Sequence, residues 1–193
     1  MLAAGSSKRL GKPKQLLLYN GKTLLNHGVE VATAAGTNPI VVLGANGDLL
    51  QATISNTNTI VIVNEGWEEG MAASIRCGLQ KLVMISPSVE ATILMVCDQP
   101  LVTTALLISL AQQYRETGKP IIASSYANSM GTPALFDKTF FAPLLALKGD
   151  EGAKAIIKKN TSLVAIVDFP PGNIDIDTRE EYEALLNNTP TGI

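Results

Sequence analysis

Five short runs rich in β-branched and apolar residues, at 40–43, 59–63, 92–97, 120–124 and 163–169, constrain this chain more than anything else in it. Each is bounded by Gly, Asn, Asp or Pro, which is how strands begin and stop. Longer amphipathic stretches lie between and around them, at 23–35, 47–54, 71–83, 103–117, 140–147, 151–159 and 179–186. Apolar runs without alternation are expected to be buried on both faces. The pattern therefore predicts an α/β fold, a mostly parallel sheet covered by helices on either side. With 193 residues and no linker, repeat or low-complexity segment, one domain is expected. Residues 187–193 are expected to fray.

Composition removes several functions. The net charge of −2 argues against nucleic-acid binding. No apolar run approaches the roughly 18 residues of a membrane span, and the start has no signal-peptide core. Cys77 and Cys97 lack metal or redox spacing, which fits a reducing cytoplasm. His27 is the only histidine, so a Ser-His-Asp triad and an HExxH zinc site are excluded. His27 is expected to be structural and Cys97 a buried, inert thiol.

The most informative segment is LAAGSSKRLGKPK, residues 2–14. Lys8, Arg9, Lys12 and Lys14 place four cations in seven residues of an acidic protein. Gly5 and Gly11 allow sharp turns and close approach, and Ser6 and Ser7 add hydroxyl and N–H donors. Together they form a nest for anionic oxygens, set against a plain solvated loop as the alternative. The spacing is neither Walker A nor the GxGxxG fingerprint. Such a loop ordinarily follows a buried strand, yet only residues 1–3 precede it. Either the first strand is a stub, weakening the centre of the sheet, or the chain starts downstream of its true beginning.

The run 92–97 stops at Asp98, and Pro100 turns the chain. Ligands of open α/β sheets sit beyond the carboxyl ends of the strands, and a carboxylate there can hold Mg²⁺. A turn or cap role is the alternative for Asp98. Alternation puts Asp175 and Asp177 on one face, with capping of the helix after 178 as the competing role. Gly70 begins a strand-to-helix turn whose N–H groups could meet a base or phosphate, with Ser74 and Arg76 nearby and Trp67 as wall or anchor. Residues 148–153 read as a helix start with an acidic first turn.

LAAGSSKRLGKPKQLL resembles the signature LAAGxSxRMGxPKxLL of MobA-like nucleotidyltransferases, with Leu10 for the usual Met. VCDQP, NEGWEEGMAASIRCGL, GTPALF, LKGDEGAKAII and DIDTREEY resemble further family segments in the same order, across nearly the whole chain. The chain is most similar to the molybdenum cofactor cytidylyltransferase branch, where LAAG replaces LAGG, so Ala4 points to CTP over GTP. The resemblance implies a Rossmann-like three-layer α/β/α fold of the nucleotide-diphospho-sugar transferase type. It implies transfer of CMP from CTP to molybdopterin, with Mg²⁺ and release of pyrophosphate. Ala3, Ala4, Gly5, Ser6, Ser7, Arg9, Lys14, Gly70 and Ser74 would then bind the nucleotide. Lys14, Arg9 and Asp98 would carry catalysis, and Asp98 with Asp175 or Asp177 would hold the metal. A transient contact with a molybdoenzyme or its chaperone is implied too. Other phosphorylated acceptors (a sugar phosphate or methylerythritol phosphate), GTP as donor, and a non-catalytic accessory role in molybdoenzyme maturation remain alternatives.

Overall fold

A computed structural model of the chain describes residues 1–188. In chain order the elements are β1 (Leu2–Ala3), β2 (Leu18–Tyr19), β3 (Lys22–Thr23), α1 (Leu24–Ala34), β4 (Ile40–Leu43), α2 (Gly47–Gln51), β5 (Ile60–Val63) and α3 (Met71–Ile85). They continue with β6 (Ala91–Leu94), α4 (Thr104–Thr117), β7 (Ile121–Tyr126), β8 (Ser129–Asp137), α5 (Phe141–Leu145), α6 (Ala153–Lys159), β9 (Val164–Asp168) and α7 (Arg179–Asn188). Of the expected frayed tail, residues 187 and 188 close α7, and 189–193 lie outside the described residues.

β1 pairs parallel with β4, and β4 with β5. On its other side Leu2 bridges Val96, just past β6, also in parallel. The second half of the sheet runs β6-β8-β7-β9, with β8 antiparallel to both neighbours and β9 parallel to β7. The architecture is the expected α/β/α sandwich with a mostly parallel sheet. Successive residues of β7 show the two-sided burial directly. Ile122 enters the core under α1 and α4, whereas Ile121 and Ala123 enter the core under α3, α5 and α6. Helix ends follow local chemistry. Thr23 and Thr103 accept from the N–H groups of Asn26 and Leu106 at the starts of α1 and α4. α4 ends where Gly118 turns left-handed at φ 63°.

Two elements escape the sequence pattern. β8 is the longest strand among the described residues, yet Gly131 and Pro133 read as breakers. The structure accommodates them at a register shift between Ala123 and Ser124, where a proline costs no regular ladder bond. The β2–β3 hairpin, two residues a side, is too short to show a period. The run 92–97 also divides. Pairing with β8 ends at Leu94, and residues 95–97 turn their hydrogen bonds to β1.

Candidate active site at the carboxyl ends of the strands

Leaving β1, the chain enters the glycine loop beside Gly44, the residue that follows β4. A Cβ on Gly44 would lie 2.6 Å from the Trp67 Cβ and 2.8 Å from the Ala4 carbonyl oxygen, so only glycine lets loop and tryptophan close together. The loop is held by its own polar groups. Leu10 N–H and Gly11 N–H donate to the Ser7 carbonyl at 3.1 and 3.2 Å. The Ser7 hydroxyl accepts from Lys14 N–H at 3.0 Å. Gln15, fully buried, donates through Nε2 to the carbonyls of Ala3 and Gly5 at 2.8 and 2.9 Å. Buried amides are kept where their hydrogen bonds are met, and here they fix the curvature of the cradle.

These ties present Lys14 to the far wall. Its ammonium donates to Asp98 at 2.5 Å and to Asp177 at 2.7 Å. Asp98 sits past the tip of β6. Asp177 sits in an extended segment anchored by buried Ile176, whose N–H donates to the Asp98 carbonyl at 2.9 Å. Arg9, mostly exposed at the rim, pairs with the other oxygen of Asp177. Burial works against the Lys14 charge, but Asp98 and Asp177 outweigh it and hold the ammonium above the ordinary lysine value. Burial likewise opposes the Asp177 charge, and Lys14 and Arg9 reverse that, keeping the carboxyl below the usual carboxylate range. Asp175 goes the other way. Burial and then the neighbouring Asp98 charge push it up.

A cleft of about 500 Å³ lies between these groups. Of the residues singled out in the sequence, Ala3, Ala4, Gly5, Ser6, Lys14, Trp67, Gly70, Ser74, Asp98, Asp175 and Asp177 line it. Ser7 and Arg9 do not: Ser7 turns its hydroxyl back to brace the loop, and Arg9 stands at the mouth. Gly70, at φ 120°, has a packing reason of its own. A Cβ there would come within 2.5 Å of the Gly149 carbonyl oxygen and the Asp150 carboxylate. Ser74 accepts from the Asn64 side-chain amide at 3.1 Å. Arg76 is turned away from the cleft, spanning Glu69 and the Leu147 carbonyl. Of the Asp177–Thr178 pair, Thr178 is the cap: its hydroxyl accepts from Glu181 N–H, and Glu181 accepts back from the N–H of both Asp177 and Thr178. Cys97 is buried, its thiol pushed up to about 12 by desolvation. His27 lies outside the cleft, with Nε2 2.9 Å from the Pro100 carbonyl and its ring edge-on to Tyr19.

Sequence reasoning misses Gln15, Asn64, Glu68 and Asp150. Gln15 follows Lys14 directly, and that adjacency is the signal that could have found it; residues 148–153 carry only the marks of a helix start. Among the described residues no three His, Cys, Asp or Glu side chains stand close enough to form a ready-made metal site. The donors are nonetheless hard oxygens, suited to Mg²⁺ or Mn²⁺, which bind through one or two carboxylates and complete their shell with ligand oxygens. Among the described residues the cleft has five lining carboxylates, Glu68, Asp98, Asp150, Asp175 and Asp177, against one lining cation, Lys14. A polyphosphate entering it gains from any cation it brings.

Residues 1–164 match the MobA-like NTP transferase domain. Among solved structures, Rv0371c from Mycobacterium tuberculosis superposes with a TM-score of 0.84 at 35% identity, covering 97% of this chain and 95% of that one. A structure of Rv0371c in complex with manganese superposes at 0.80 and 31% identity, covering 97% and 96%. Nicotine blue oxidoreductase of Paenarthrobacter nicotinovorans is 29% identical over 96% of this chain and 94% of its own.

Proposed function

Taking as premise that the chain belongs to the MobA-like NTP transferase family, we propose that it transfers CMP from CTP to molybdopterin or a closely related phosphorylated acceptor, releasing pyrophosphate. One observation carries the reading: the Lys14 ammonium stands between Asp98 and Asp177 at the mouth of the glycine loop. Two carboxylates converging on one cation are what a metal-bound triphosphate needs, and the loop supplies N–H donors beside them. Asp98 and Asp177 would hold Mg²⁺, with Asp175 adjacent. That a structure of the relative Rv0371c is a complex with manganese supports a divalent metal as part of this reading. When bound, the ion would neutralise phosphate oxygens and the departing pyrophosphate.

The residues of the chain then divide the work. Backbone N–H groups at Ala4, Gly5 and Ser6 cradle phosphate oxygens, with Ser7 and Gln15 keeping the loop in shape. Lys14 shifts from the carboxylates toward the α-phosphate and stabilises charge as the acceptor oxygen bonds to phosphorus and the bond to the β-phosphate oxygen breaks. Arg9 closes over the triphosphate from the rim. Gly70, Trp67 and Ser74 form the base side of the cleft, and Ala4 is the residue that points to CTP. No histidine base is required. A phosphate monoester acceptor has a second pKa of about 6 and arrives as an anion at neutral pH. The reaction would take place in the cytoplasm, with the product passed to a molybdoenzyme or its chaperone through a transient contact.

The test is pyrophosphate release with each of the four NTPs, Mg²⁺ and purified molybdopterin. Parallel arms carry a sugar phosphate, methylerythritol phosphate, and no acceptor. Release with CTP and molybdopterin alone is expected. Release only with another pair would reassign donor or acceptor within the family. NTP binding without release would leave an accessory protein. The name of the Paenarthrobacter relative makes oxidation or reduction of nicotine blue a further arm, and turnover of that compound in place of pyrophosphate release would overturn the transferase reading.

A further inference from the structure

Asp98 and Asp177 come from distant stretches of the chain. Asp98 lies past the end of β6, and Asp177 lies in the extended segment between the 3₁₀ turn Pro170–Asn173 and α7. No strand pairing joins these two segments among the described residues. Two other hydrogen bonds do. The Ile176 N–H donates to the Asp98 carbonyl at 2.9 Å. Directly after Asp98, the buried side chain of Gln99 donates through Nε2 to the Gly172 carbonyl at 2.8 Å. One bond falls between the two acidic residues of the extended segment, and the other falls ahead of both. With the second removed, the segment would pivot about Ile176.

Both partners of that bond are themselves confined. The Gln99 Oε1 accepts from the Thr132 hydroxyl at 3.4 Å, which steadies the amide against β8. The Gly172 N–H donates to the Phe169 carbonyl, and the Phe169 N–H to the Ser125 carbonyl, both at 2.8 Å, so the turn hangs from β7. A Cβ on Gly172 would overlap the rings of Tyr126 and Phe169, which meet edge-on with centroids 6.3 Å apart. The tie also has a charge to hold. Asp98 and Asp177 are like charges, and Lys14 compensates their approach. In the proposed reaction Lys14 leaves them for the α-phosphate. A neutral amide that donates and accepts at once keeps its bonds whichever cation lies between the carboxylates.

We propose that Gln99 is a positioning residue of the transferase site: its side-chain amide clamps the turn 170–173 to the Asp98 loop and so fixes the separation at which Asp98 and Asp177 receive a divalent ion. The proposal rests on the reading of those two carboxylates as the metal ligands. Gln99 touches neither nucleotide nor metal in this account. It acts through Asp98, its neighbour in the chain, and through Asp177, which the turn carries. Partners of this kind tune metal affinity because they hold ligands in place before the ion arrives. The loop at residues 2–14 lies outside the tie, so binding of the nucleotide alone does not depend on it.

The experiment is calorimetric titration of Mn²⁺ into the full chain saturated with a non-hydrolysable CTP analogue. Gln99→Leu should weaken Mn²⁺ binding roughly 10–100-fold, the scale on which such partners act. Its affinity for the analogue without metal should be unchanged. In turnover, the half-saturating metal concentration should rise by the same factor, with kcat at saturating metal largely retained. Because Gln99→Leu could destabilise the fold, Thr132→Val gives a milder variant that frees only the amide oxygen, and a smaller loss confined to the metal is expected. Unchanged Mn²⁺ affinity in folded Gln99→Leu would overturn the proposal. So would unchanged affinity in Thr132→Val where Gln99→Leu does not fold, an equal loss of metal-free analogue binding, or a fall in kcat with no change in metal requirement. No Mn²⁺ binding by the unaltered chain, or full binding by Asp98→Asn, would instead overturn the two-carboxylate reading, and the role of Gln99 with it.

Discussion

The two ends of β1 contrast sharply although two residues separate them. Beyond its carboxyl end the polar groups are engaged with one another. Gln15 and Ser7 brace the loop, and Lys14 is shared by Asp98 and Asp177. Beside its amino end lies a largely apolar cavity of about 410 Å³, walled by Ile40, Leu79, Leu94, Leu107 and Leu135 among others. The first region is rich in directed polar contacts and holds charge in place; the second is short of packing. Changes at the carboxyl end should therefore fall on chemistry, and changes at the amino end on stability.

The largest effect expected is on turnover. Lys14→Ala should lower pyrophosphate release by roughly 10²–10³, the scale of one preorganised charge contact, while the melting temperature changes little. Asp98→Asn should weaken metal-dependent activity comparably, again with folding preserved. Loss of folding in proportion to activity in either variant would erase the contrast. Gln15→Leu is intermediate and should touch both properties. Two carbonyls lose their donor inside the protein, at about 1–3 kcal/mol in denaturant unfolding, and the loosened loop should raise KM for the nucleotide. An unchanged KM would mean the loop holds its shape without that brace.

At the other end, Ala111→Leu should add stability, by about 1 kcal/mol, through filling apolar space. Turnover should be unaffected, and a fall in turnover would show that the two ends are coupled. The smallest effect concerns His27, the only histidine and a structural one. Burial holds its ring below the ordinary value of 6.5 despite the Pro100 carbonyl. The folded state thus favours the neutral ring. Its contribution is complete above the ordinary value and is lost as pH falls through the depressed folded one. His27→Gln should make the decline in stability between neutral and mildly acidic pH shallower. An unchanged slope would remove His27 from the acid response.

The same contrast explains what the sequence discloses. The strands at 40–43 and 121–126 and the helices of the first half are legible because apolar period and end signals agree. β8 is not, since Gly131 and Pro133 carry the marks of a turn and only the register shift opposite Ala123 lets them stay in a strand. In the cleft, charge and glycine spacing name Lys14, Asp98 and the pair Asp175 and Asp177 without choosing between the last two, because residues that work by charge declare it in their type. Gln15, Asn64 and Asp150 escape because their roles depend on where their neighbours lie. The apolar cavity beside β1 escapes too, because its walls come from segments 38–42 and 91–95, which meet only in three dimensions.

The central claim is that Asp98, Asp177 and Lys14 grip a metal-bound triphosphate, and the most direct test is calorimetric titration with a non-hydrolysable CTP analogue. Mg²⁺ should tighten binding at least about tenfold in the unaltered chain and leave it unchanged in Asp98→Asn. Equal affinity with and without the metal, or full metal dependence retained in Asp98→Asn, would contradict the account.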